Sequence, residues 1–176
     1  MINDLVTRLH SEKEDEVLRA LEELDVMLRQ GGAGAENIRP LCDLLSRGKE
    51  IRSKALWCLG KLGQNKIAHP STVALVAAHT RDELAEDREN AAWALGEMAG
   101  AGVGDESGLG SLIQLLHDED LHVRGMAAWS IGRYADKLRI CDTESIGPLQ
   151  NMSEGTSPYL RKSAEFALER ISSARQ

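Results

Sequence analysis

An internal repeat of 36 residues constrains the fold more than any other feature of the sequence. Three residue types recur at this interval: Trp57, Trp93 and Trp129; Arg52, Arg88 and Arg124; and Gly60, Gly96 and Gly132. Three independent residue types that keep one period indicate a repeated structural unit, because chance does not readily produce such agreement. The fold is therefore expected to be an array of similar units.

Each unit contains two apolar segments. The longer ones align as IRSKALWCLGKLG, DRENAAWALGEMA and VRGMAAWSIGRYA, followed by LRKSAEFALERIS with Phe166 in place of Trp, and preceded by the weaker copy VLRALEELDVML. A shorter apolar segment precedes each long one, and only 3% of the residues are aromatic, which favours helices packed through small and aliphatic side chains. We predict one all-α domain over residues 1–176, with five helical hairpins at about 1–34, 35–66, 67–104, 105–139 and 140–176.

The segment DEDLHVRGMAAWSIG at 118–132 resembles the HEAT repeat family, especially its PBS-lyase HEAT-like subclass. The resemblance covers nearly the whole chain, weakens before residue 36, and implies a right-handed α-solenoid whose second helices line the concave face. In that family the recurring arginine pairs with an acidic group of an adjacent turn. The resemblance therefore implies a structural ladder of Arg52, Arg88, Arg124 and Arg161, with Asp82, Glu83, Asp118 and Asp120 as available partners. On function the motif is nearly silent.

The aromatic residues fall opposite the aliphatic stripe of each second helix. At about 100° per residue, Val123, Ala127, Ile131 and Tyr134 share one side, while Trp129 lies near 240°. Stacked units would align the equivalent residues as an aromatic row, namely Trp57, Trp93, Trp129 and Phe166. The rings could pack on the neighbouring unit, contact a partner, or do both. The repeated mid-helix glycine favours close packing, since it costs about 1 kcal/mol relative to alanine, and a neighbouring indole would account for it.

Charged residues flank the predicted row and supply the other candidate partner-binding residues, which are Lys54, Lys61, Glu97 and Arg133. The net charge of −7 opposes binding to a phosphate backbone, so we expect no nucleic-acid partner. The sequence also has no apolar run long enough to cross a bilayer and no apolar stretch at its N-terminus. Three cysteines without close pairing favour reduced thiols. We therefore expect a cytoplasmic protein without a membrane partner.

Two motifs suggest chemistry that their context does not support. GAGVGDESG at 100–108 has glycines spaced as in a phosphate-binding loop, but such loops follow a strand and here only a helix is predicted. His117 and His122 straddle a turn and lack further ligands at metal-site spacing, and no His is followed by Glu as in the iron-binding hydroxylase branch of the family. No catalytic constellation stands out. We expect no catalytic residue, metal or cofactor.

These observations favour a non-enzymatic module that binds a protein or peptide partner through its concave aromatic row, since large rigid side chains anchor interfaces well. The oligomeric state expected is a monomer or a weak homodimer. The alternative hypothesis is a bilin or tetrapyrrole lyase-like protein or chromophore chaperone, because the subclass takes its name from such proteins and an aromatic groove suits a flat conjugated ligand.

Overall fold

The chain folds into ten α-helices in the computed structural model, which describes residues 2–176 and their side chains from Asp4 onward. In chain order the helices are α1 (Ile2–Leu9), α2 (Glu14–Arg29), α3 (Ile38–Leu44), α4 (Lys49–Gln64), α5 (Ser71–Ala78), α6 (Ala85–Gly100), α7 (Glu106–Leu115), α8 (Leu121–Leu138), α9 (Ile146–Glu154) and α10 (Pro158–Ala174).

Consecutive helices form five hairpins that stack side by side as an α-solenoid. The first helix of each hairpin is short, with 7 to 10 residues, and the second is longer, with 16 to 18 residues. Regular structure within residues 2–176 is entirely helical. The prediction of an all-α solenoid of five hairpins is confirmed. No helix among the described residues has both the length and the apolar character needed to span a bilayer.

The aliphatic stripe of each second helix forms the core, as the helical period predicts. Val123, Ala127, Ile131 and Tyr134 are all buried. Equivalent stripes on α4 and α6 are buried in the same way, and the predicted buried thiol of Cys58 is only 1% exposed. Burial raises the pKa of this thiol to about 12. The α10 stripe is covered less completely, since Ala164 and Ile171 are buried but Leu160 and Leu168 are only half-buried.

The two sets of helices pack differently along the stack. The second helices α4, α6, α8 and α10 contact one another extensively, whereas the first helices α3, α5 and α7 touch only slightly. Fully buried Ala92 and Ala128 lie on these second helices, and the buried Ser130 hydroxyl donates to the Ala92 carbonyl at 2.7 Å. Small residues allow helices to approach closely. We call the surface of these second helices the inner face, because the family resemblance predicts it to be the concave side.

Candidate functional site

The aromatic row lies at the middle of the inner helices. Trp57 on α4 and Trp93 on α6 stack with ring centroids 4.6 Å apart and planes inclined by 24°. Trp57 is 36% exposed, and its indole Nε1 donates a hydrogen bond to Oδ1 of Asp25 on α2 at 2.8 Å. Trp93, Trp129 and Phe166 are half-buried. The two tryptophans thus present a partly open, oriented apolar surface.

Each later ring of the row packs on a glycine of the preceding unit. A Cβ added to Gly60 would collide with the Trp93 ring, and one added to Gly132 would lie 2.6 Å from Cε1 of Phe166. The Gly96 position meets the Trp129 ring in the same way. The prediction that an indole explains the repeated glycine is confirmed. These rings therefore have a packing role, and their remaining exposed edges are available to a ligand.

A basic side chain lies over three of the four rings, one helical turn after the ring. The cation of Lys61 is 5.7 Å from the Trp57 centroid, that of Arg133 is 5.4 Å from Trp129, and that of Arg170 is 5.3 Å from Phe166. Cation–π contacts of this kind stabilise by about 0.5–1 kcal/mol at exposed sites. Arg170 was not among the predicted site residues, although its position four residues after Phe166 matches the other two.

Glu97 occupies the corresponding position after Trp93, but it points into the contact between α6 and α8. It is only 7% exposed, and its carboxylate lies 3.4 Å from Nη2 of Arg133. The Arg133 Nε also donates to the Gly96 carbonyl at 3.4 Å. These two predicted partner-binding residues are therefore engaged with each other across two inner helices.

The predicted arginine ladder joins turns as well as units. Arg88 donates from Nε and Nη2 to both carboxylate oxygens of Asp118, at 2.7 and 2.9 Å, and from Nη1 to the carbonyls of Asp82 and Glu83 at 3.0 Å. The guanidinium therefore ties the turn before its own helix to the turn of the next unit. Arg52 reaches the following unit similarly, through Asp87 at 2.8 Å and Asp82 at 3.2 Å.

Among the described residues, the last two arginines of the ladder donate hydrogen bonds only to carbonyls of their own turn. Arg124 donates from Nη1 to the carbonyls of Asp118 and Glu119, and Arg161 donates from Nη2 to the Gly155 carbonyl at 3.0 Å. The turn within the fifth unit reads Gly-Thr-Ser at 155–157 and offers no carboxylate to Arg124. The pairing expected from the family thus occurs only where the next turn supplies aspartate.

A cleft of about 680 Å³ opens on the inner face beside the two stacked indoles. Four carboxylates and two lysines line it, from α2, α4 and α6: Glu22, Asp25, Glu86, Glu89, Lys54 and Lys61. Burial alone would raise the pKa of Asp25, but hydrogen bonds from Arg29 and Trp57 lower it below its ordinary value. Burial raises the pKa of Glu89. None of these four carboxylates was among the predicted site residues.

The two motifs that suggested other chemistry have structural roles. The segment at 100–108 joins two helices, and Asp105 caps α7 by accepting a hydrogen bond from the Gly108 N–H at 3.0 Å. The residue after His117 is Asp118, the partner of Arg88. Among the described residues, no group of three His, Cys, Asp or Glu side chains is arranged to hold a metal ion.

Residues 72–169, more than half of the chain, match the family model described as HEAT repeats. The chain belongs to the HEAT repeat family. No curated protein sequence matches it significantly.

Solved structures share the fold of this HEAT repeat chain at low sequence identity. A designed armadillo repeat protein in complex with the peptide (KR)4 is 19% identical, with a TM-score of 0.71 over 99% of this chain and 87% of the other. An engineered protein is 21% identical, with a TM-score of 0.78 over 97% and 47%. The complex of CpcE and CpcF of phycocyanin lyase from Nostoc sp. PCC7120 is 16% identical, with a TM-score of 0.77 over 98% and 65%.

Proposed function

We propose that this HEAT repeat chain is a non-enzymatic module that binds a segment of a protein partner on its inner face. The observation that carries the proposal is the stacked Trp57–Trp93 pair, whose partly exposed rings border a cleft of about 680 Å³. Rigid aromatic side chains lose little conformational entropy on binding and are enriched at the centres of interfaces. The solenoid fold is typical of protein-binding scaffolds, and a designed neighbour of the same fold is in complex with a peptide.

Some candidate residues would contact the partner, and others hold the helices of the solenoid in place. Trp57, Lys54 and Lys61 border the cleft and would touch the partner directly, together with the exposed edge of Trp93. Trp129 and Phe166 extend the aromatic row toward the C-terminal units. Arg133 and the buried Glu97 hold neighbouring inner helices together, and the arginine ladder holds the turns together. We therefore assign a structural role to both sets.

Trp57→Ala is the sharpest test, because this ring is the most exposed of the row and leaves the glycine packing of the later units intact. Native and variant chains are immobilised and compared for capture of proteins from a cell extract. The matched control is Leu75→Ala on α5, a side chain that is 47% exposed on a first helix. A specific partner should be retained by the native chain and by the control, and lost by Trp57→Ala. A partner retained by Trp57→Ala and lost by Leu75→Ala would contradict the proposal.

A tetrapyrrole-handling role is the alternative, and two observations favour it. The cleft has the volume of a small-molecule site, for which about 300–1,000 Å³ is usual, and the CpcE–CpcF complex of phycocyanin lyase shares the fold. Titration of the native chain with a bilin or haem, followed by visible absorbance, separates the two roles. A protein-binding module is expected to give no new band. A shifted band that Trp57→Ala abolishes would favour the alternative.

A further inference from the structure

We propose, building on the function proposed above, that the partner segment presents a lysine or arginine side chain to the cleft. Its cation would be held by the carboxylates of Glu86 and Glu89, beside the stacked indoles of Trp57 and Trp93. The occupant is thus a basic stretch of a partner protein.

Glu86 and Glu89 are carboxylates without a counter-ion. Both lie on α6, three residues apart and on the same side of the helix as Trp93, which follows Glu89 by one turn. Neither makes a hydrogen bond or an ion pair with the described residues, although Glu89 is half-buried. By contrast, the buried carboxylates of Asp118 and Glu97 are each paired with an arginine. The carboxylate oxygens of these two residues are therefore available to accept hydrogen bonds from a group in the cleft.

The electrostatic surroundings of Glu89 favour the binding of a cation. Burial is the largest influence on this group and raises its pKa, which means that its ionised form is disfavoured in the free protein. Among the groups of the described residues that influence Glu89, His122 on α8 is the one that lowers its pKa, while Asp120 and Glu86 add repulsion. The attraction of a positive charge arriving from outside would offset both the cost of desolvation and the repulsion.

The basic groups of the cleft already have internal partners. Nζ of Lys54 lies 3.6 Å from the Glu22 carboxylate, and Nζ of Lys61 donates to the Gln64 amide oxygen at 2.7 Å while lying over the Trp57 ring. Four carboxylates and two lysines line the cleft, so the surface that remains for a ligand is acidic. Complementary charge at an interface favours the matching partner and rejects like charge.

An indole next to a carboxylate can bind both the aliphatic stem and the cation of a lysine or arginine side chain. The aliphatic stem of lysine or arginine packs on apolar surface while its cation remains near polar groups. The cation is attracted to the face of a tryptophan, and its hydrogen bonds to a carboxylate are about twice as strong as neutral ones. An acidic or purely apolar segment would leave Glu86 and Glu89 unpaired.

Fluorescence anisotropy with three labelled octapeptides tests the charge preference on the full chain. The peptides alternate glycine with arginine, glutamine or glutamate, and binding is measured at about 0.1 M salt. The arginine peptide should bind at least tenfold more tightly than the other two. The double variant Glu86→Gln/Glu89→Gln should weaken that binding at least tenfold.

The matched control is Glu144→Gln/Glu154→Gln, which removes the same charge from two exposed glutamates of the fifth unit. This control should bind the arginine peptide with an affinity within about twofold of the native chain, because charges beyond the Debye length of about 10 Å at 0.1 M salt act weakly. Equal losses in the two double variants would show attraction to net charge alone and would overturn the inference. Absence of arginine-peptide binding, or preference for the glutamate peptide, would also overturn it.

Capture of the physiological partner separates this inference from the proposed function. A partner lost by Trp57→Ala but kept by Glu86→Gln/Glu89→Gln would leave the protein-binding role standing and refute the basic occupant. A partner that binds both variants as it binds the native chain would refute both the proposed binding surface and the basic occupant. Loss with both variants, together with the peptide preference, supports both.

Discussion

Replacing Gly96 with alanine is expected to destabilise the stack of inner helices. An added methyl group would lie 2.7 Å from Cζ3 of Trp129 and 3.0 Å from Cβ of Ser130. Carbon atoms in favourable contact are about 3.5–4.0 Å apart, so α8 would have to retreat or the indole would have to leave its place. Overpacking of this kind costs about 1–3 kcal/mol, and the higher helix propensity of alanine offsets about 1 kcal/mol of that cost.

Gly110→Ala is the matched control, because Gly110 also lies within a helix and no atom lies within 4 Å of its added Cβ. Both variants share the gain in helix propensity, so the difference between their free energies of unfolding isolates the steric clash. In urea denaturation followed by circular dichroism, we expect Gly110→Ala to be up to about 1 kcal/mol more stable than the native chain. Gly96→Ala should be about 1–3 kcal/mol less stable than Gly110→Ala. Equal stability of the two variants would refute the close packing of ring on glycine.

Four further predictions concern buried or half-buried side chains. Arg88→Met should lower the free energy of unfolding by about 3 kcal/mol in urea, since it leaves the buried Asp118 carboxylate without its arginine partner; a loss no larger than that measured on replacing an exposed arginine would contradict this role. Burial would raise the pKa of Asp118, but hydrogen bonds from Arg88 and the Asp120 N–H lower it below its ordinary value. This group therefore stabilises fully above about pH 4 and less as the pH falls through its lowered pKa, and Asp118→Asn should flatten that part of a stability–pH curve. Glu89→Gln should raise the thermal midpoint at pH 7, because the raised pKa of Glu89 means that its charge destabilises the fold; the gain should vanish below about pH 4. The thiol of Cys58, with a pKa of about 12, should react with a thiol reagent only on unfolding, after Cys42 and Cys141, and equally fast labelling of all three in the native chain would refute its burial.

The fold could be predicted because each unit repeats its helix pattern at a nearly constant interval. Alignment of the copies around Trp57, Trp93 and Trp129 defines the second helices, and their 3.6-residue period separates the buried stripe from the ring-bearing side. The same comparison explains why glycine recurs, since stacking places each ring on the glycine of the unit before it.

Much of the site depends on contacts between units, which a single helix does not reveal. The angular position of Glu97 suggested a place on the groove, but the approach of α8 buries it against Arg133. Asp25 belongs to the first unit, whose weak match leaves its register uncertain, so its bond to Trp57 could not be anticipated. Glu86 and Glu89 share the helical side of Trp93, and that spacing was a usable signal.

The spacing of the inner helices and the chemistry of the cleft depend on different residues, so evolution can change them independently. The distance between neighbouring inner helices depends on the residues at 60, 96 and 132, which lie beneath the rings. The chemistry offered to a ligand depends instead on positions nearer the start of each second helix, such as Glu86 and Glu89. Duplication of a unit could therefore lengthen the binding surface without altering its pitch, and substitutions at the acidic positions could change the preferred partner while the architecture stays the same.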